Sequence, residues 1–108
     1  FLVYSGEDED ALTVKVLGGA GIISVASHIF GNEMAQMYRD VDCGNVSEAG
    51  QNMRILIPKV AALFRLPSPA PVKAALNERN ILVGDPRLPI LPLDDEQQDF
   101  LEKVLSQE

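Results

Sequence analysis

The stretch GGAGIISVASHI, residues 18–29, is the most informative about the fold, because its glycines and its β-branched run follow one another in a particular order. A phosphate-binding loop comes after a strand and opens a helix, so that free N–H groups meet the anion. Here the glycines follow a helix-like stretch, 10–17, and precede the apolar run 22–25. The glycine pair 18–19 therefore predicts the end of a helix, and Gly21 predicts the entry to a buried strand. The phosphate loop is the weaker interpretation.

The residues before this stretch complete a strand–helix–strand unit. The apolar run FLVYS predicts a first strand near 1–5, and the second strand lies near 21–25. Between them, GEDED (6–10) places acidic residues at a helix start, where the helix dipole favours negative charge. This run lacks the alternating ligands and the central glycine of a calcium loop. A strand, a helix and a strand in this order predict a parallel pair.

The residues after the stretch are predicted to be helical. Apolar residues at helical spacing indicate four helices, near 32–43, 45–65, 71–79 and 94–107. Gly44 and Asn80 are expected to end the first and the third of these. Pro58 falls inside the longest helix, where we expect a kink and one missing backbone hydrogen bond. Asp94, with Gln97 three residues later, predicts a capping box at the last helix.

Composition limits the classes of function. The chain has 108 residues and a formal net charge of −7, which disfavours nucleic acid and anionic membranes as partners, because both need basic patches. No apolar run approaches the roughly 18 residues that span a bilayer. One cysteine, Cys43, and one histidine, His28, are too few for a zinc site of the usual ligands. We predict no metal, no cofactor and a reducing, cytoplasmic location.

Two parallel strands are too few for a sheet that stands alone. Each strand would leave an apolar edge open, which natural proteins avoid. The chain also starts with Phe1, inside the first predicted strand and without a lead-in. We therefore expect an α/β fold, mostly helical with two parallel strands, that is the end of a larger structure.

Several separate motifs resemble those of one family. In order and without large gaps, the chain is similar to the C-terminal part of the dihydrodipicolinate synthase and N-acetylneuraminate lyase family. The segments that carry the resemblance are YSGEDED (4–10), GGAGIISVASHI (18–29), PAPVKAAL (69–76) and RLPILPL (87–93). The resemblance implies a (β/α)8 barrel, which typically has about 250 residues. It assigns residues 1–30 to the last two β/α units of the barrel and residues 31–108 to a C-terminal helical segment.

The resemblance also implies substrates and site residues. GIISVASH (21–28) is closer to the synthase branch, which condenses pyruvate with aspartate semialdehyde on the route to lysine, through a lysine Schiff base with pyruvate. Gly6 matches the glycine whose backbone sits beside bound pyruvate, and Ile23 matches a residue that lines the same pocket. We expect Ile23 to be a core residue that also touches a ligand. Glu7 departs from the family's usual aspartate. The Schiff-base lysine and the catalytic tyrosine belong to earlier strands, so no catalytic residue is expected in this chain.

Other polar residues near the strand ends have plainer interpretations. Ser24 and Ser27 either cap the next helix or bind backbone groups, unless they contact a ligand. His28 lacks a partner at a catalytic spacing, which favours a structural role. Lys15 and Lys103 lie on helices among acidic residues, where we expect both side chains to be solvated.

Two hypotheses of different class follow. The first is a C-terminal part of a synthase-branch lyase that is inactive alone, with an N-acetylneuraminate lyase-like aldolase as the alternative parent. The second is a non-catalytic interaction module whose binding face is the apolar stripe 46–64, although such periodicity normally indicates burial. The open strand edges further predict that the chain associates into homo-oligomers.

Overall fold

Two short strands pair in parallel near the start of the chain. Strand β1 is Tyr4–Ser5 and strand β2 is Gly21–Ile22, and each residue pairs with its counterpart in that order. Both are shorter than the predicted strands 1–5 and 21–25, because each has only one neighbour to pair with. A further backbone hydrogen bond, from Ile23 N–H to the Ser5 carbonyl at 2.9 Å, continues the contact beyond the strands. The predicted parallel pair is confirmed.

Helix α1, Ala11–Val16, connects the two strands and follows a single 3-10 turn at Asp8–Asp10. Its end confirms the prediction made from the glycines. Gly18 has a φ of +89°, and the Gly19 N–H bonds to the Val14 carbonyl at 2.8 Å, as in a Schellman motif. A Cβ on Gly19 would lie 2.5 Å from Cγ2 of Val14, so this corner accepts only glycine without a shift of its neighbours.

Four longer helices follow, namely α2 (Ser27–Asp42), α3 (Val46–Phe64), α4 (Ala70–Glu78) and α5 (Asp95–Leu105). Helix α2 begins earlier than the predicted start at 32, because the turn 27–30 is already helical up to a kink at Phe30. Gly44 and Asn80 follow the ends of α2 and α4 with φ values of 83° and 61°, as predicted. Helix α3 runs through Pro58, and the bend expected there stays a prediction.

The structure, a computed structural model, describes all 108 residues, which form two compact units, Phe1–Ile57 and Pro58–Glu108. In the first unit the core residues are Ala11, Ala26, Phe30, Met34, Met37, Ala49, Met53 and Leu56. In the second unit they are Val60, Ala62, Leu63, Ala70, Val72, Ala75, Leu76, Leu101 and Leu105. The predicted boundary after residue 30 divides the chain by barrel architecture and not by packing, and it stays a prediction.

Candidate functional site

The two predicted substrate contacts lie at the carboxyl ends of neighbouring strands. Gly6 directly follows β1 and Ile23 directly follows β2, and the parallel register places these two positions side by side. A Cβ built on Gly6 meets no atom within 4 Å, so the backbone there faces open space. In a parallel barrel, the carboxyl ends of the strands are where substrates bind. The structure therefore brings the two predicted residues together on one open side of the first unit.

Ile23 differs from its prediction in one respect. We expected a core residue that also touches a ligand, but its side chain is 70% exposed. The predicted strand 21–25 would have buried it, whereas the observed strand ends at Ile22 and Ile23 begins the loop. An apolar side chain in this position is free to contact a bound molecule or another part of a protein.

A buried carboxylate joins the loops that follow the two strands. Asp8 is only 4% exposed and is the single buried charged residue of the chain. Its Oδ2 accepts hydrogen bonds from the backbone N–H groups of Val25 and Ala26, both at 3.1 Å. Its Oδ1 accepts a hydrogen bond from the hydroxyl of Ser24. The turn after β1 is thereby tied to the turn after β2 through three hydrogen bonds.

The serines of the second loop serve the start of α2, which is one of the roles predicted for them. Ser24 Oγ accepts a hydrogen bond from the Ser27 N–H at 2.9 Å, and Ser27 Oγ donates to the Ser24 carbonyl at 3.3 Å. Ser24 and Asp8 together satisfy N–H groups that have no partner inside the helix. His28 is exposed on the first turn of α2, and its own N–H bonds to the Val25 carbonyl.

Asp8 is the residue that sequence reasoning missed. The run GEDED predicts only acidic residues at a helix start, and three of the four, Glu7, Glu9 and Asp10, are exposed. Asp8 alone turns inward. Its partners lie 16 to 18 residues away, so no local pattern distinguishes it. The one available signal is that SVAS (24–27), a serine followed by a helix start, begins two residues after the end of β2.

The lysine nearest to the strands is more buried than predicted. The Lys15 side chain is 21% exposed, its Nζ lies 2.8 Å from Oδ1 of Asp42, and it stands 5.5 Å from the centre of the Tyr38 ring. The expectation that Lys15 is solvated was wrong, because α1 packs against α2 and covers it. Burial raises the pKa of the Tyr38 hydroxyl above its ordinary value. Lys103 is exposed, as expected.

Two further properties concern metals and membranes. No three His, Cys, Asp or Glu side chains are grouped so that they would hold a metal ion. No helix combines the length and the apolar character needed to cross a bilayer.

Comparisons with known proteins give the family. Residues 1–108 match the model of the dihydrodipicolinate synthetase family. The 4-hydroxy-tetrahydrodipicolinate synthase of Ligilactobacillus salivarius is 59% identical over 105 residues, which are 97% of this chain and 36% of that protein. That of Enterococcus faecalis is 51% identical over the same shares of the two chains.

Solved structures agree. The chain matches dihydrodipicolinate synthase DapA-2 of Bacillus anthracis with a TM-score of 0.95 and 41% identity, over 100% of this chain and 37% of that one. A dihydrodipicolinate synthase described as the first monomeric variant matches with a TM-score of 0.89 and 33% identity, over 97% of this chain and 35% of that one.

The chain spans about 36% of the length of the curated relatives it matches. The predicted fold class is confirmed, because these neighbours are (β/α)8 barrels and the matched part contains two parallel strands followed by helices. The motif resemblance and the comparisons lead to the same conclusion. The chain belongs to the dihydrodipicolinate synthetase family.

Proposed function

We propose that this chain is the C-terminal part of a lyase that condenses pyruvate with aspartate semialdehyde on the route to lysine. The chain contributes part of the pyruvate pocket and the C-terminal helical segment of that enzyme. The observation that carries the proposal is the 59% identity, over 97% of the chain, to a protein named 4-hydroxy-tetrahydrodipicolinate synthase. The position of Gly6 and Ile23 at adjacent strand ends supports it.

In this proposal the chain supplies a wall of the pocket and not the nucleophile. Gly6 lets its backbone approach the bound keto acid, since no side chain intervenes, and the exposed Ile23 contacts the apolar part of that molecule. The reaction starts when a lysine amine attacks the pyruvate carbonyl, and the addition product then loses water to form the Schiff base. None of the lysines here lies on a strand, so the 108 residues are inactive by themselves.

A chimera tests the function. In it, this chain replaces the corresponding 105 residues of the Ligilactobacillus salivarius relative, and purified protein is assayed for condensation of pyruvate with aspartate semialdehyde. We expect the condensation activity of the chimera to be within about tenfold of that of the relative. A displacement of the site by about 1 Å would lower it by up to about a hundredfold. A folded chimera without measurable condensation would contradict the proposal. Cleavage of N-acetylneuraminate is assayed beside it, and a preference for that substrate would support the alternative parent.

The second hypothesis, an interaction module, is disfavoured by helix α3. Its apolar stripe was the predicted binding face, yet Ala49, Met53 and Leu56 are buried in the first unit, and Val60 and Leu63 are buried in the second. Val46, Ile57 and Phe64 of the same stripe are 41–48% exposed, but a face that mostly forms the core leaves little free surface with which to dock a partner.

We further propose that the isolated chain self-associates through its first unit. Phe1, Leu2, Leu17 and Ile23 are each at least 70% exposed, and the two-stranded sheet has open edges. Exposed apolar side chains next to an open edge favour pairing with another copy. Sedimentation at micromolar concentration should therefore show dimers or larger species, and a well-folded, strictly monomeric chain would contradict this expectation.

Since Cys43 is a single exposed thiol, a reducing cytosol suits the protein.

A further inference from the structure

Asp8 connects the loops that follow the two strands, beyond the last backbone hydrogen bond between the strands, from Ile23 N–H to the Ser5 carbonyl. Asp8 lies two residues after Gly6, and its three hydrogen-bond donors lie on Ser24, Val25 and Ala26, directly after Ile23. Of the two proposed substrate contacts, Gly6 therefore lies close to the buried carboxylate in sequence, and Ile23 lies directly before the residues that donate to it. Asp8 and Ser24 are the side chains whose hydrogen bonds join these loops within the first unit.

Burial makes this link stiff. A carboxylate that is 4% exposed has exchanged water for the three donors, and hydrogen bonds to a charged group in such surroundings are about twice as strong as neutral ones. Ser24 extends the link, because its hydroxyl donates to Asp8 and at the same time accepts from the Ser27 N–H. If the turn after β1 shifted, the start of α2 would have to shift with it or leave these groups unpaired.

We propose that Asp8, with Ser24, is a positioning residue that sets the spacing between Gly6 and Ile23 and so the width of the keto-acid pocket. The inference rests on the proposed function, which places both residues against pyruvate. Asp8 itself touches no reacting atom, because its carboxylate oxygens are occupied by the neighbouring loop. Reaction rates respond to displacements of about 1 Å by up to about a hundredfold. Because Gly6 and Ile23 are both proposed to contact pyruvate, we expect a change in this link to affect the binding of pyruvate more than that of the second substrate.

The kinetic test uses the chimera with Asp8→Asn, which keeps the shape of the side chain and removes its charge. Asp10→Asn is the matched control, since Asp10 lies in the same 3-10 turn and is exposed. We expect Asp8→Asn to raise KM for pyruvate about tenfold and to change KM for aspartate semialdehyde less than about twofold. Asp10→Asn should change neither. A purely structural role would lower the fraction of active enzyme, counted by borohydride trapping, and leave both KM values alone.

Ser24→Ala is the milder variant, in case Asp8→Asn does not fold in the chimera. It removes one of the three donors, and we expect KM for pyruvate to rise about threefold. Unchanged pyruvate KM values in the folded variants would overturn the proposal.

Amide hydrogen exchange of the 108-residue chain tests the link even if the chimera is inactive, so that the two proposals fail separately. Asp8→Asn should speed exchange of the Ile23, Val25 and Ala26 amides at least about tenfold, while the Leu76 amide of the second unit stays as protected as in the unchanged chain. Equal exchange at Ile23 in Asp8→Asn and Asp10→Asn would show that Asp8 does not position this loop.

Discussion

At the starts of both α2 and α5 a carboxylate accepts hydrogen bonds from backbone N–H groups, but it comes from different distances along the chain. At α5, Asp94 Oδ1 accepts from the Gln97 N–H at 2.8 Å and the Gln97 side chain accepts from the Asp94 N–H at 3.0 Å. At α2, the carboxylate comes from Asp8, 17 and 18 residues before the N–H groups it accepts. One cap belongs to its own helix, and the other belongs to a different loop.

The two carboxylates differ in what they stabilise besides the helix start. The Asp94 cap is exposed and stabilises a single helix, as a capping box usually does. The Asp8 carboxylate joins two segments and is buried. If it is removed, its hydrogen-bond donors lose their acceptor and water cannot replace it. The distant cap should therefore matter more for stability, and it alone should affect the site.

Removal of the distant cap is expected to have the largest effect. Asp8→Ala leaves two backbone N–H groups and the Ser24 hydroxyl without their acceptor, at a cost of about 3 kcal/mol in the free energy of unfolding. Urea unfolding, followed through the amide signals of α2, measures it. A loss below about 1 kcal/mol, the value of an ordinary exposed cap, would remove the distinction between the two helix starts.

Removal of the local cap should have a smaller effect that is confined to its helix. Asp94→Ala is expected to cost about 1 kcal/mol, because an exposed N-cap contributes that much. Asp95→Ala is the matched control, since Asp95 lies in the same first turn but outside the capping box. Amide exchange should rise in the first turn of α5 only. A comparable rise in α2 would indicate that the caps are not independent.

The other end of α2 gives the smallest expected effect. Lys15 and Asp42 form an ion pair in which the Asp42 side chain is 63% exposed, and such pairs contribute less than about 1 kcal/mol. Asp42→Asn should therefore cost no more than about 0.5 kcal/mol at low salt, and added salt should reduce the difference. An effect as large as that of Asp8→Ala would show that α2 is held from its C-terminal end.

Sequence reasoning succeeded where the physical cause is local. Gly18, Gly44 and Asn80 were predicted to end helices, and each has positive φ at a helix end. Asp94 and Gln97 form the predicted capping box. These signals are complete within four or five residues, so they need no knowledge of the rest of the chain.

The remainder depends on contacts between distant residues. Nothing in GEDED distinguishes Asp8 from its neighbours, since only the packing of the second loop buries it. The early start of α2 is tied to the same link, because Asp8 accepts from the N–H group of Ala26, just before the helix, and Ser24 accepts from that of Ser27, its first residue. The burial of Lys15 depends on the packing of α1 against α2. Gly6 and Ile23 were identified by family resemblance, and their role as substrate contacts stays a proposal.

The central claim is that this chain shapes a pyruvate pocket without supplying the amine that reacts. The most direct measurement treats the 108-residue chain and the chimera with pyruvate and borohydride and locates any adduct by peptide mass spectrometry. We expect one reduced adduct in the chimera, on a lysine outside these residues, and no adduct in the chain alone. A stable adduct on Lys15, Lys59, Lys73 or Lys103 would contradict it.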